Sequence, residues 1–187
     1  MKKKKLAIII SRVFDPIHEG LIIVFLISLL SPAKDNWVFI FFLSIILVYL
    51  LPWAFFFKLL KSGKISDWDI TKRQERYLFY SFSFLSMLLF IVLIFFFQGK
   101  ELGLFYLKIL LPLFIYYLFT FIYKVSGHMF INSFLLVVLL MFFQNILFLV
   151  FGAFILILVG WSRIVLKKHT IFQVIIGTLL PFVVLLY

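Results

Sequence analysis

The side chains able to do chemistry in this 187-residue chain are few: three histidines, four arginines and no cysteine. Without cysteine there is no disulfide, no thiolate metal site and no thiol nucleophile. Arg73, Arg76, Arg163, His128 and His169 crowd into three short polar segments, residues 58–77, 124–128 and 162–170, set between apolar runs. Lysines that flank such runs are explained by snorkelling to lipid head groups. That does not explain two histidines, one following Ser126-Gly127 and the other a few residues after Ser162-Arg163. The residue types suit phosphoryl transfer, where negative charge on equatorial oxygens is met by positioned cations and hydrogen-bond donors. Arg76 and Arg163 can each grip two oxygens with a planar fork. Ser126 and Gly127 stand where a helix is expected to begin, and the unpaired N–H groups there favour an anion. One neutral imidazole can attack phosphorus while a protonated one supplies the proton of the leaving oxygen. No carboxylate cluster suited to Mg²⁺ accompanies them, so neither metal nor cofactor is expected.

In order and spacing, Ser126-Gly127-His128 and Ser162-Arg163-x5-His169 resemble the second and third signatures of the type 2 phosphatidic acid phosphatase superfamily. Those signatures read P-S-G-H and S-R-x5-H-x3-D, and a first one, K-x6-R-P, precedes them. Here it corresponds to Asp69 through Tyr77, with Arg76 in the arginine position, Asp69 for lysine and Tyr77 for proline. The resemblance covers roughly residues 60–180. It implies His169 as the nucleophile, His128 as the acid, and Arg76, Arg163, Ser126, Gly127 and Ser162 as phosphate-binding residues. Asp69 cannot bind phosphate as lysine would, so that work passes to Lys72 or Arg73. Val125 replaces the proline of the second signature, and Gln173 replaces the aspartate of the third. Residues 169 and 173 face each other on a helix. Gln173 can accept a hydrogen bond from the imidazole but lacks a charge to stabilise an imidazolium. Asp67 and Asp69 are the alternative acids. Ser11-Arg12-x5-His18 matches the third signature as well, but it precedes the first span and has Ile22 in the acid position, so it reads as coincidence.

Positioning such residues falls to an unusually apolar chain. Hydrophobic residues make up 66% and charged ones 13%, against about 25% charged in soluble domains. One core of this length cannot hide that surface, so lipid is the solvent for most of it. A soluble enzyme, a disordered chain and a nucleic-acid-binding module are excluded, despite a net charge of +11. The pattern predicts an all-α, polytopic membrane bundle of six to seven segments forming one domain, with its motif-bearing core at 58–187. Residues 1–15 read as a basic interfacial helix. Spans are expected at 16–32, 37–57, 77–97 and 104–123, then two short helices divided at Gln144-Asn145, then 169–187. All but Lys34, Lys100 and Lys108 of the 18 lysines and arginines fall on one side by crossing parity. The positive-inside rule makes that side, with the three polar segments, cytoplasmic, and the plasma membrane is the expected location.

The function expected from the residues and the resemblance is a metal-independent membrane phosphatase. It would hydrolyse a lipid phosphate or diphosphate of the phosphatidic acid, phosphatidylglycerophosphate or polyprenyl phosphate class through a phosphohistidine. The alternative is a catalytically impaired member acting as a lipid-binding or assembly protein, for which Gln173 and Asp69 are the best evidence. A transporter would carry mid-span polar residues and paired repeats, and neither is evident.

Overall fold

The computed structural model describes residues 2–33 and 35–186, with side chains through residue 183. Among these residues the fold is entirely helical. The helices are α1 (Lys2–Val13), α2 (Pro16–Leu29), α3 (Trp37–Ser44), α4 (Leu51–Lys61), α5 (Arg73–Gln98), α6 (Lys100–Ile122), α7 (Gly127–Phe143), α8 (Ile146–Val165) and α9 (Ile171–Leu179). A π-helical stretch, Ile45–Leu50, joins α3 to α4, and a 3₁₀ stretch, Leu180–Leu186, follows α9. Four helical rods are long and apolar enough to cross a membrane: Trp37–Lys61, Arg73–Gln98, Lys100–Ile122 and Ile146–Val165. Helix α7, at 17 residues, and the stretch Ile171–Val183 are apolar but shorter. The expected end of the last span at Tyr187 lies outside the described residues.

The chain divides into two compact units, Met1–Ile23 with Lys124–Tyr187, and Val24–Tyr123. In the first unit α7 is the central helix, packed on α8 and α9, while α1 lies against α8. Met129, Leu136, Leu156, Val159 and Val174 form its core, joined by Ile10 and Phe14. The break at Gln144-Asn145 has a clear local cause. Gln144 adopts a left-handed conformation, φ +47°, and ends α7, while the Asn145 side chain accepts the Leu147 N–H at 2.9 Å and starts α8. Amide side chains tolerate both roles. Helix α8 is 20 residues rather than the short helix expected, because Ser162 and Arg163 continue it instead of ending it. Helix α1, expected to lie on the membrane, seats Ala7 and Ser11 against its neighbours and leaves Lys2 to Lys5, Ile8 and Ile9 exposed.

In the second unit α5 and α6 form a hairpin about Gly99, whose φ of +86° is a conformation that glycine adopts at little cost. At Gly103 a Cβ would stand 2.5 Å from the Phe95 ring, so the two helices approach closely there. The π-helical turn ends two residues before Pro52, which has no N–H to give the carbonyl four residues back, within that turn. The Ser86 hydroxyl on α5 donates to the Leu47 carbonyl within the widened turn. Phe56, Leu59, Ile65 and Ile70, with Trp53, Trp68 and Phe79 packed against them, anchor the polar 62–72 loop.

Candidate active site

The second and third signature segments come together in the first unit. Ser126 caps α7, its side chain accepting the Met129 N–H at 3.5 Å, and its own N–H donates to the Gln173 carbonyl at 3.3 Å. Gly177, one turn beyond Gln173, lies so close to this loop that a Cβ would stand 2.7 Å from the Ser126 carbonyl oxygen. Helix α9 therefore presses its first two turns onto the start of α7.

His169 sits just before α9 and is 9% exposed. Its Nδ1 lies 3.0 Å from Gln173 Oε1, and the same oxygen accepts the Thr170 N–H at 3.3 Å. A backbone N–H can only donate, so the amide atom facing it is the oxygen. His169 Nδ1 must then carry a proton to meet that oxygen, and in the neutral ring Nε2 is the bare nitrogen. Thr170 caps α9 in turn, and the Thr170–Gln173 pair closes a capping box that fixes the amide in place.

His128 is 6% exposed, and its Nε2 faces two oxygens from the N-terminal segment: Ser11 Oγ at 3.4 Å and Asp15 Oδ2 at 3.8 Å. Arg163, 1% exposed, donates from Nη1 to the same Ser11 Oγ at 2.7 Å. Asn132 Nδ2 donates both to the His128 carbonyl at 2.9 Å and to the Phe14 carbonyl at 3.1 Å. The Ser162 hydroxyl donates back along its own helix to Val159 at 2.7 Å, so its proton is used locally. Lys124 Nζ donates to the Lys168 carbonyl at 3.0 Å, tying the two segments together. Gly127 is the first residue of α7 and is partly exposed.

Lys72, Arg73 and Arg76 belong to the second unit. Lys72 pairs with Glu75 at 3.0 Å on the surface. Arg73 Nη1 donates to the Phe121 carbonyl at 3.2 Å and also to Ile122, so it caps the end of α6. Arg76, 2% exposed, donates from Nε to the Ile70 carbonyl at 2.9 Å, where Ile70 itself is left-handed at φ +45°. Asp67, an alternative acid from the sequence, accepts the Asp69 and Thr71 N–H groups and the Thr71 hydroxyl, and so organises the loop.

Sequence reasoning missed Ser11, Asp15 and Asn132. The match Ser11-Arg12-x5-His18, which as a third signature is a coincidence of spacing, carries part of the signal. Its serine reaches the histidine and arginine of the two main motifs, while Arg12 and His18 are exposed. Among the described residues no three metal-binding side chains cluster. Comparison with protein-family profiles, with curated proteins and with solved structures finds no match to this chain.

Proposed function

We propose that this chain is a metal-independent integral-membrane phosphatase that hydrolyses a lipid phosphate or diphosphate through a phosphohistidine. The observation that carries the reading is the Gln173 amide oxygen shared by the Thr170 N–H and His169 Nδ1. It leaves His169 Nε2 as the nucleophilic atom. That nitrogen attacks phosphorus, and the N–P bond forms as the bond from phosphorus to the lipid oxygen breaks. His128, as imidazolium, gives its proton to the departing oxygen. Water then attacks the phosphohistidine, His128 takes the water's proton, and the N–P electrons return to Nε2 as inorganic phosphate leaves. Arg163 supplies charge-assisted donors to the phosphoryl oxygens. The Ser126 cap presents the first N–H groups of α7.

The finer membrane arrangement belongs to the same proposal. Helix α7 and the stretch 171–183 cross as shorter spans in addition to the four long rods, and α1 sits at the interface with its lysines on the cytoplasmic side of the plasma membrane.

A second reading has its own support: Ser11 Oγ accepts the Arg163 proton that a phosphoryl oxygen would take. This favours a catalytically impaired protein that binds lipid or assembles with partners. Phosphate release by purified protein from a panel of lipid phosphates, with EDTA present, separates the two. The phosphatase reading expects release that EDTA leaves unchanged, and the second reading expects none from any substrate.

A further inference from the structure

We infer that Asp15 is a positioning residue for His128, the carboxylate at the α1–α2 corner that holds this imidazole charged and ready to donate its proton. The inference rests on the phosphatase reading for its role in turnover, but the pair itself stands on geometry alone.

Asp15 Oδ2 lies 3.8 Å from His128 Nε2, and both side chains are almost fully buried, at 7% and 8% exposed. An opposite charge at this distance favours the charged form of the ring, against the desolvation that burial of an imidazolium costs. The two carboxylate oxygens have different tasks. Oδ1 accepts the Ile17 N–H at 3.1 Å and starts α2 ahead of Pro16, while Oδ2 addresses the histidine. The corner is held in register by Asn132, which bridges the Phe14 carbonyl to the His128 carbonyl. Ala7, Ser11 and Asp15 follow at four-residue intervals, so one edge of the N-terminal segment delivers both Ser11 and Asp15 to the same ring nitrogen.

That shared nitrogen excludes a relay of the Ser-His-Asp kind, in which the acid holds the ring nitrogen opposite the nucleophile. Ser11 is not a nucleophile here. Other charged or titratable groups lie on the elements packed at this corner. Arg163 from α8 reaches it through Ser11 and opposes its charge, Glu19 is buried one turn beyond Asp15, His169 leads into α9, and Arg12 on α1 is exposed. Asp15 Oδ2 is a carboxylate oxygen within 4 Å of the ring, forming an ion pair when His128 is protonated. In turnover its charge acts twice: it keeps the proton on His128 until the lipid oxygen departs, and it draws the water's proton back to His128 in the second step.

The competing explanation is that Asp15 serves only as the cap of α2. Asp15→Asn separates the two, because asparagine caps a helix as well as aspartate does but carries no charge. The first measurement is the ¹⁵N imidazole titration of His128 in detergent micelles, assigned with His128→Gln, for wild type and Asp15→Asn. The midpoint is expected to fall by about one pH unit or more in Asp15→Asn. Asp15→Ser, which also caps, should show the same fall. An unchanged midpoint overturns the inference whether or not the protein hydrolyses anything. The second measurement is turnover of phosphatidic acid in the same micelles, where Asp15→Asn should lower kcat about 10-fold or more with KM nearly constant. A shifted midpoint with no phosphate release by wild type from any lipid phosphate of the panel defeats the phosphatase reading and leaves the pair standing. A shifted midpoint with unchanged kcat in an active enzyme overturns the role of Asp15 in turnover.

Discussion

At the scale of single residues, the tautomer of His169 is decided by a neighbour that is not an acid. Gln173 Oε1 is pinned by the Thr170 N–H, and the imidazole must donate to it. The amide therefore orients the ring as an aspartate would, but it adds no charge to stabilise the phospho-imidazolium of the proposed mechanism. Gln173→Asp should preserve or raise kcat in a phosphate-release assay, because an acid in the first turn suits the helix N-terminus and adds the charge beside His169. Gln173→Leu should lower kcat by about 10²-fold, the low end of what an orienting or acid–base partner contributes. The His169–Gln173 pair was legible in sequence because its spacing is local. Asp15 and Ser11 were not. Ser11 lies 117 positions from His128, and no periodicity within an apolar chain says which helix the N-terminal segment packs against.

Among the elements, α9 is the one on which the site most depends, and a missing side chain lets it approach. Gly177 stands where a Cβ would meet the Ser126 carbonyl oxygen at 2.7 Å and Met129 Cβ at 3.1 Å. The obstacle is backbone, so relief requires α9 itself to move. Gly177→Ala should lower stability by about 1–3 kcal/mol. It should also lower kcat, since the same displacement lengthens the bond between the Ser126 N–H and the Gln173 carbonyl. Thermal unfolding and phosphate release measure both effects. Gly99→Ala is the control. Its φ of +86° makes substitution costly, yet nothing stands within 4 Å of a Cβ there, so activity should survive. Helix ends were largely legible where side chains make them: Gln144-Asn145 and Ser126 act as turn and cap residues should. The π-helical turn at Ile45–Leu50 was not, since its cause is Pro52 acting backwards through the ladder rather than any residue within the turn.

On the scale of the whole molecule, four rods among the described residues are long and apolar enough to cross a membrane, and large hydrophobic side chains are exposed along them, such as Phe42, Leu85, Leu107 and Phe154. That surface was readable from composition alone. Which side each end faces is read from charge, and the absence of native cysteine makes it directly testable. Single cysteines placed at Lys3, Ser66 and Lys100 should divide cleanly. Position 100 is expected to react with a membrane-impermeant thiol reagent in intact cells, and positions 3 and 66 only after lysis. Reaction at 66 from outside would reverse the orientation and leave the chemistry of the site untouched.

The central claim is that His169 carries the phosphoryl group, and the phosphoenzyme tests it most directly. Purified protein is mixed with a ³²P-labelled lipid phosphate, quenched in alkali within milliseconds, and its bound label tested for acid lability. Wild type is expected to hold label that acid removes and alkali does not, and His169→Ala is expected to hold none and to release no phosphate. Full phosphate release by His169→Ala, or label that survives in that variant, would contradict the account.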